Sequence, residues 1–393
     1  MYNYYTNDVE IVPGENGGSK VKSRFFFFMA SPPVTGGDLV LVEHAKKLIA
    51  AGVDARILFL PNESFGNLHS DFPPDVPINL LNADLVLTPA DFVVVGESQG
   101  PLYRDMRHWM DRDLPKLPKF IVFNQAVHWT ANSFVNRQEF NSLHFAGLLC
   151  ASPFVKKYLE EVMGFELNKV FKAVHIVCPA TEIPASILAL PGSLERSQQE
   201  QPPKCRISFI HSLRKRADEI HTLKLLFLSK YPEYANKVEF DIIKKKTHEQ
   251  TLGIMRQSDI FIASGYMDSH NLPAVEAMAC GCHVLGYTGL SMKADYFNSQ
   301  NGWWFESEGQ MQKNLMLLKQ AVDLYYDQRP NSRALRQSII AHAQQTVAKL
   351  FSPTSDNTQI IDAYLDIWQK TVGLHFQEST VFASKERGTF KNP

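Results

Sequence analysis

Two carboxylates with seven residues between them, Asp268 and Glu276, bracket an Asn271-Leu272-Pro273 step in DIFIASGYMDSHNLPAVEAMACGCHVLGY, residues 259–287. The order of types there predicts strand, polar loop with a glycine, helix, glycine stop and strand. Pro273 suits the first turn of a helix, where its missing N–H is of no consequence. Backbone N–H groups at such a start carry partial positive charge and form a natural seat for a diphosphate. One turn later, Glu276 can accept hydrogen bonds from two vicinal hydroxyls, as a ribose offers. The plainer alternative is a surface loop leading into an ordinary packing helix.

Upstream, RISFIHSLRKRADE reads as a strand that ends in a basic cluster, Arg214-Lys215-Arg216, before a helix. Fixed positive charge at that place would stabilise a leaving diphosphate as its negative charge grows. Arginine clamps phosphate in a bidentate way and lysine supplies a point charge. A solvated charge run at a helix start is the competing reading. In the first half, Thr35-Gly36-Gly37 lies between an apolar run and a helical segment, and paired glycines permit close approach of backbone to a ligand. It is not a G-x-G-x-x-G fingerprint, so a nicotinamide dinucleotide is not supported. NQAVHWT places Asn124, Gln125 and His128 at the end of another apolar run, with a semi-buried structural histidine as the alternative. Trp303 and Trp304 read as core rather than as a platform for a sugar. Five cysteines form no C-x-x-C pair, and Cys280-Gly281-Cys282 has no partner pair at zinc spacing, so no metal centre is predicted.

The elements that must position these residues follow from hydrophobic patterning. RFFFFMA, ARILFL, DFVVVG, KFIVFN, GLLCAS and KAVHIVC are short continuous apolar runs, as parallel strands buried on both faces require. DLVLVEHAKKLIAAG between the first two has helical periodicity and a glycine stop, completing a βαβ unit. After the polar stretch LPGSLERSQQEQPPK the alternation resumes with RISFI, VEFDII, DIFIAS and HVLGY, separated by helical segments, and three further helices are expected near 310–326, 332–350 and 358–372. A chain of 393 residues has room for two such domains. The expected division is an N-terminal Rossmann-like acceptor domain over 1–190, a linker over 191–204, a C-terminal donor domain with the terminal helices over 205–372, and a tail over 373–393. The fold class is therefore α/β, with two doubly wound domains facing across a cleft, and ligands bind such sheets at the carboxyl ends of their strands.

LPAVEAMACGCHV is similar to the donor-site helix of glycosyltransferase family 4, a family of GT-B fold. Its motif is an acidic residue, seven residues, then glutamate, with Leu-Pro before the helix. The resemblance is best over residues 206–305 and becomes architectural over 24–179. It implies that Glu276 holds the nucleotide ribose and that Asp268 lies beside the transferred sugar, where the family has glutamate. It implies that Lys215 and Arg214 meet the diphosphate, His211 standing where the family's arginine usually sits. It further implies that Gly37 faces the donor phosphates and that His128 contacts the donor sugar. In YTGLSMKADYF, Gly289 is kept from the family's glycine-rich turn, while Leu290-Ser291-Met292 replaces the rest.

The expected function is a retaining, metal-independent glycosyl transfer from a nucleoside-diphosphate sugar to a hydroxyl of a glycan, lipid-linked or small-molecule acceptor. Asp268, His128 and Lys215 are the expected catalytic residues; Gly37, Arg214, Lys215, Asn271, Leu272 and Glu276 are expected to bind the donor. No resident cofactor is implied, the nucleotide sugar being a substrate, and no Asp-x-Asp metal motif occurs in the donor region. A net charge of −1, from 40 basic and 41 acidic side chains, gives no basic surplus for nucleic acid. Peripheral membrane contact is compatible with a lipid-linked acceptor, but Lys46 and Lys47 share their helix with Asp38 and Glu43. The polar N-terminal segment carries no apolar signal core, so the expected location is cytoplasmic. A second reading, a catalytically silent subunit that binds nucleotide sugars, rests on Asp268 and the altered glycine turn.

Overall fold

The computed structural model describes residues 11–13, 19–21, 23–29, 36–60, 75–82, 85–99, 118–133, 145–177, 184–190, 192–194, 203–211, 217–265, 268, 270–290, 296–306, 310–350 and 353–372. Arg214 and Lys215 lie outside these residues. A short antiparallel pair, β1 (Ile11–Pro13) and β2 (Ser19–Val21), comes first, in a polar segment where no strands are expected.

The first large sheet has seven parallel strands in the order β5-β4-β3-β6-β7-β8-β9. They are β3 (Phe25–Met29), β4 (Ala55–Phe59), β5 (Ile78–Leu80), β6 (Phe92–Gly96), β7 (Lys119–Asn124), β8 (Phe145–Cys150) and β9 (Phe171–Ile176). The run Phe25–Met29 shows why the strands are apolar throughout. Phe25, Phe27 and Met29 enter one core and Phe26 and Phe28 the other, because alternate side chains leave opposite faces of a strand. Helix α1 (Gly36–Ala50) follows β3 and ends in a Schellman turn. There Gly52 has φ +83°, Val53 N–H donates to Leu48 O and Gly52 N–H donates to Ile49 O.

The second sheet has five parallel strands ordered β11-β10-β12-β13-β14. They are β10 (Cys205–Ile210), β11 (Val238–Ile243), β12 (Ile260–Ala263), β13 (His283–Gly286) and β14 (Trp303–Trp304). In both sheets the chain first runs outward to one side and then reverses. The switch points fall between β3 and β6 and between β10 and β12, where a crevice opens at the carboxyl ends of the strands. The tryptophans expected in the core form the half-buried edge strand β14. Trp304 stacks on Phe297 at 4.2 Å, and Trp303 meets the buried His283 edge-on at 4.6 Å.

The packing departs from the expected division of the chain at two places. Ile187 already belongs to the second core, and the Arg256 guanidinium donates to Leu190 O at 2.8 Å and Leu188 O at 3.1 Å. The crossover therefore comes after Val177, which packs in the first core, and not at 190. The last helix, α8 (Pro353–Val372), crosses back. Its Ile360, Ala363, Tyr364, Ile367 and Trp368 are buried in the core of the first domain. Gly147 of β8 makes room for it: a Cβ there would lie 2.4 Å from Ile367 Cδ1. Helical periodicity shows that α8 has an apolar face but not which sheet that face covers, so the sequence assigned it to its neighbours in the chain. Each large side chain buried this way contributes about 1.5–3 kcal/mol, which makes α8 a structural part of the first domain. Among the described residues no helix is long and apolar enough to cross a membrane.

Candidate functional site

Six further helices carry the site or pack behind it: α2 (Val127–Ser133), α3 (Ala217–Lys230), α4 (His248–Arg256), α5 (Leu272–Ala279), α6 (Met311–Tyr326) and α7 (Pro330–Leu350). Helix α5 begins at Leu272 with Pro273 in its first turn and ends in a second Schellman turn, with Gly281 at φ +84° and Cys282 N–H donating to Ala277 O. Ala274, Val275, Ala277 and Met278 are fully buried in the second core, which fixes the helix against β12 and β13. Glu276 faces away from that core, with 13% of its side chain exposed.

Asp268 stands in the loop from β12 to α5, held by close backbone approach. Its carbonyl accepts from Leu290 N–H at 2.7 Å. A Cβ on Gly289, which has φ +81°, would lie 2.5 Å from that same carbonyl oxygen, and one on Gly265 would lie 2.5 Å from Asp268 Oδ2. Gly289 is therefore required for this close approach, while a side chain at Gly265 would displace the Asp268 and Asn271 side chains. Asn271 does not use its side chain as a helix cap. The amide Nδ2 donates to Tyr287 O at 2.8 Å, and the residue is 1% exposed. The Asn271 side chain is thus committed to joining the two loops. Leu272 packs against the first core and Leu290, in the loop after β13, against the other face of the first sheet, so both loops touch the first domain.

Opposite lie the loops that follow β3, β6 and β7. Gly37 is half-buried at the start of α1, and its carbonyl accepts from Gln125 Nε2 at 3.1 Å. A Cβ on Gly37 would come within 3.1 Å of that side chain. Glu97, at the end of β6, is buried and accepts from Gln125 N–H at 3.0 Å and Ala126 N–H at 2.9 Å. Burial pushes its carboxyl up to about 7 against the opposing pull of these amides. Asn124 is buried and hydrogen-bonded to Thr130, and His128 lies half-buried on α2 with its ring 5.0 Å from Trp129. The loops after three adjacent strands are thus tied together by Glu97 and Gln125, roles that sequence did not assign.

The structure also brings to Glu276 a residue that sequence reasoning missed. His248 Nε2 lies 2.8 Å from Glu276 Oε1. Hydrogen bonding to Glu276 raises the histidine above its ordinary 6.5, burial opposes this, and the negative charges of Glu276 and Glu43 add to the rise. His248 opens α4 directly after Thr247, whose hydroxyl accepts from Gln250 N–H while the Gln250 side chain accepts from Thr247 N–H. The capping box is legible in THEQ, but a pairing across 28 residues leaves no local signal. Among the described residues, no cluster of three or more histidine, cysteine or carboxylate side chains could hold a metal. Among the described residues, Cys150, Cys205, Cys280 and Cys282 are buried thiols outside any disulfide.

No family model matches the chain. It is 27% identical over 356 residues to an alpha-1,6-glucosyltransferase of Actinobacillus pleuropneumoniae serotype 7 (strain AP76), covering 86% of this chain and 97% of that protein. Among solved structures it is similar to sucrose-phosphate synthase of Thermosynechococcus elongatus, with TM-score 0.61 and 13% identity over 88% of this chain and 99% of that one. It is also similar to Anabaena HepE in complex with UDP-glucose, with TM-score 0.61 and 12% identity over 87% and 99% of the two chains. Two parallel α/β sheets, each with a switch point in its strand order and matched over nearly the whole length of these enzymes, give the chain the fold of the GT-B glycosyltransferases.

Proposed function

We propose that the protein is a retaining glycosyltransferase that moves a sugar, without a metal, from a nucleoside-diphosphate sugar to a hydroxyl acceptor. The observation that carries this reading is the position of Asp268 and Glu276 at the switch point of the second sheet, with Leu272 between them touching the first domain. Glu276 would accept hydrogen bonds from the ribose diol, and Asp268 would stand beside the transferred sugar. Arg214 and Lys215, three and four residues after His211 in the sequence, would neutralise the departing diphosphate and take the role a metal has in other enzymes. Gly37 and His128 would form the wall past which the acceptor enters, with Glu97 and Gln125 holding that wall in place.

The name of the A. pleuropneumoniae relative supports glucose as the sugar and a primary 6-hydroxyl as the acceptor. UDP-glucose, the ligand of the HepE complex, carries its glucose in α linkage, so an α product corresponds to retention. Free, buried cysteines accord with work in a reducing, cytoplasmic setting. The test is binding and slow hydrolysis across a panel of nucleotide sugars, in the presence of a chelator, for wild type and Glu276→Ala. One donor should bind and release its nucleoside diphosphate, and the variant should lose both. Binding without turnover, with or without a glucoside acceptor, would make the chain a silent nucleotide-sugar-binding subunit. Absence of nucleotide affinity would refute the donor site.

A further inference from the structure

We infer that His248 is a positioning residue of the donor site, which holds the Glu276 carboxylate in the orientation that receives the nucleoside diol. The inference rests on the donor-site reading of Glu276 above. A glutamate side chain has several accessible rotamers, and each costs alignment when a diol must be met by both oxygens. Here one oxygen is fixed: Glu276 Oε1 accepts from His248 Nε2 at 2.8 Å. A carboxylate has about four lone-pair sites, and a diol needs two, so the histidine and the ribose can be accommodated together.

The backbone that carries His248 is fixed, while its imidazole is 44% exposed and held by the bond to Glu276. His248 is the first residue of α4, locked by the Thr247–Gln250 capping box, and Leu252 and Met255 of the same helix are fully buried against the core that holds α5. The two helices therefore form one rigid unit, although their paired residues are far apart in sequence. The charge around the imidazole comes from both domains. Glu276 lies on one side and Glu43 of α1, itself paired with Lys46 at 2.8 Å, acts from the first domain. Lys244, Lys245, Lys246 and Glu249, the charged neighbours along its own segment, are exposed.

The experiment is calorimetric titration of the full chain with UDP, GDP and ADP and their 2′-deoxy counterparts, for wild type, Glu276→Gln, His248→Ala, His248→Gln and the Glu276→Gln, His248→Ala double variant. In the pair that binds, Glu276→Gln should weaken the ribonucleotide and erase its preference over the deoxynucleotide. His248→Ala should weaken the ribonucleotide about fivefold, the scale of one net hydrogen bond. It should affect the deoxynucleotide much less and add nothing in the Glu276→Gln background. His248→Gln, whose amide can also donate, should recover part of the loss. Unchanged or tighter ribonucleotide binding in His248→Ala, with Glu276→Gln impaired, would overturn the role of His248 and leave the donor site standing. Ribonucleotide binding unaffected by Glu276→Gln would overturn the donor-site reading instead, as would a wild type that binds none of the three.

Discussion

Substitution of Gly289 by alanine should separate the two reasons for a glycine in the donor loop. Gly289 and Gly52 have almost the same backbone angle, φ +81° and +83°. At Gly52 an added Cβ meets nothing within 4 Å, whereas at Gly289 it would lie 2.5 Å from the Asp268 carbonyl oxygen. Gly52→Ala therefore reports left-handed strain alone, about 1–2 kcal/mol of stability. Gly289→Ala adds a displacement. The Asp268 carbonyl must retreat by about 0.9 Å to reach ordinary contact at 3.4 Å. That movement pulls it from its 2.7 Å hydrogen bond with Leu290 N–H, worth about 1 kcal/mol. A misplacement near 1 Å in a reacting group can lower turnover about a hundredfold, or about 2.7 kcal/mol of barrier. The assay is donor turnover beside urea denaturation for both variants and wild type. Gly52→Ala should unfold more easily and keep its turnover, while Gly289→Ala should lose roughly one to two orders of magnitude in kcat with its nucleotide affinity largely kept. Full turnover in Gly289→Ala, or equal losses in the two variants, would refute the link between this contact and the placement of Asp268.

Two further outcomes are expected. Tyr364→Phe removes the hydroxyl that lies 3.0 Å from the buried His44 Nδ1, on a ring that burial holds neutral with its pKa lowered to about 3. Leaving that nitrogen without its partner should cost about 1–3 kcal/mol, read as a fall of several degrees in Tm. The His248–Glu276 pair should give a pH-dependent increment of stability. Because the histidine is raised in the folded state, the increment is fully present below its unfolded value of 6.5 and is lost as pH rises through the higher folded value. Denaturation profiles of His248→Gln should lack that part of the slope.

Much of the architecture is legible because strands buried on both faces leave continuous apolar runs, as in FFFFM, and because Pro273 and Gly281 punctuate α5 at both ends. The three-residue strand Ile78–Leu80 and the two-residue strand Trp303–Trp304 are too short to show a period, so their sheet edges were invisible. Candidate site residues carried by one local pattern, Asp268 and Glu276, stand out in the sequence. Those defined by contacts between elements do not. Glu97 matters through amides at Gln125 and Ala126, and His248 through a carboxylate on another helix, relations that only packing creates. Asn271 shows a relation of the same kind: its place before the helix is legible, while the bond from its amide to Tyr287 O is not.

The return of α8 to the first domain has a mechanical consequence. The chain passes from one body to the other after Val177 and back again after Leu350, so two separate tethers join the domains. A body held by one tether can swivel in any direction, but one held by two turns chiefly about the line that joins them. Two tethers would therefore restrict any opening of the cleft to a door-like rotation about that line. Removing the last twenty residues of ordered helix would both unroof the first core and free that rotation, turning a door into a loose joint.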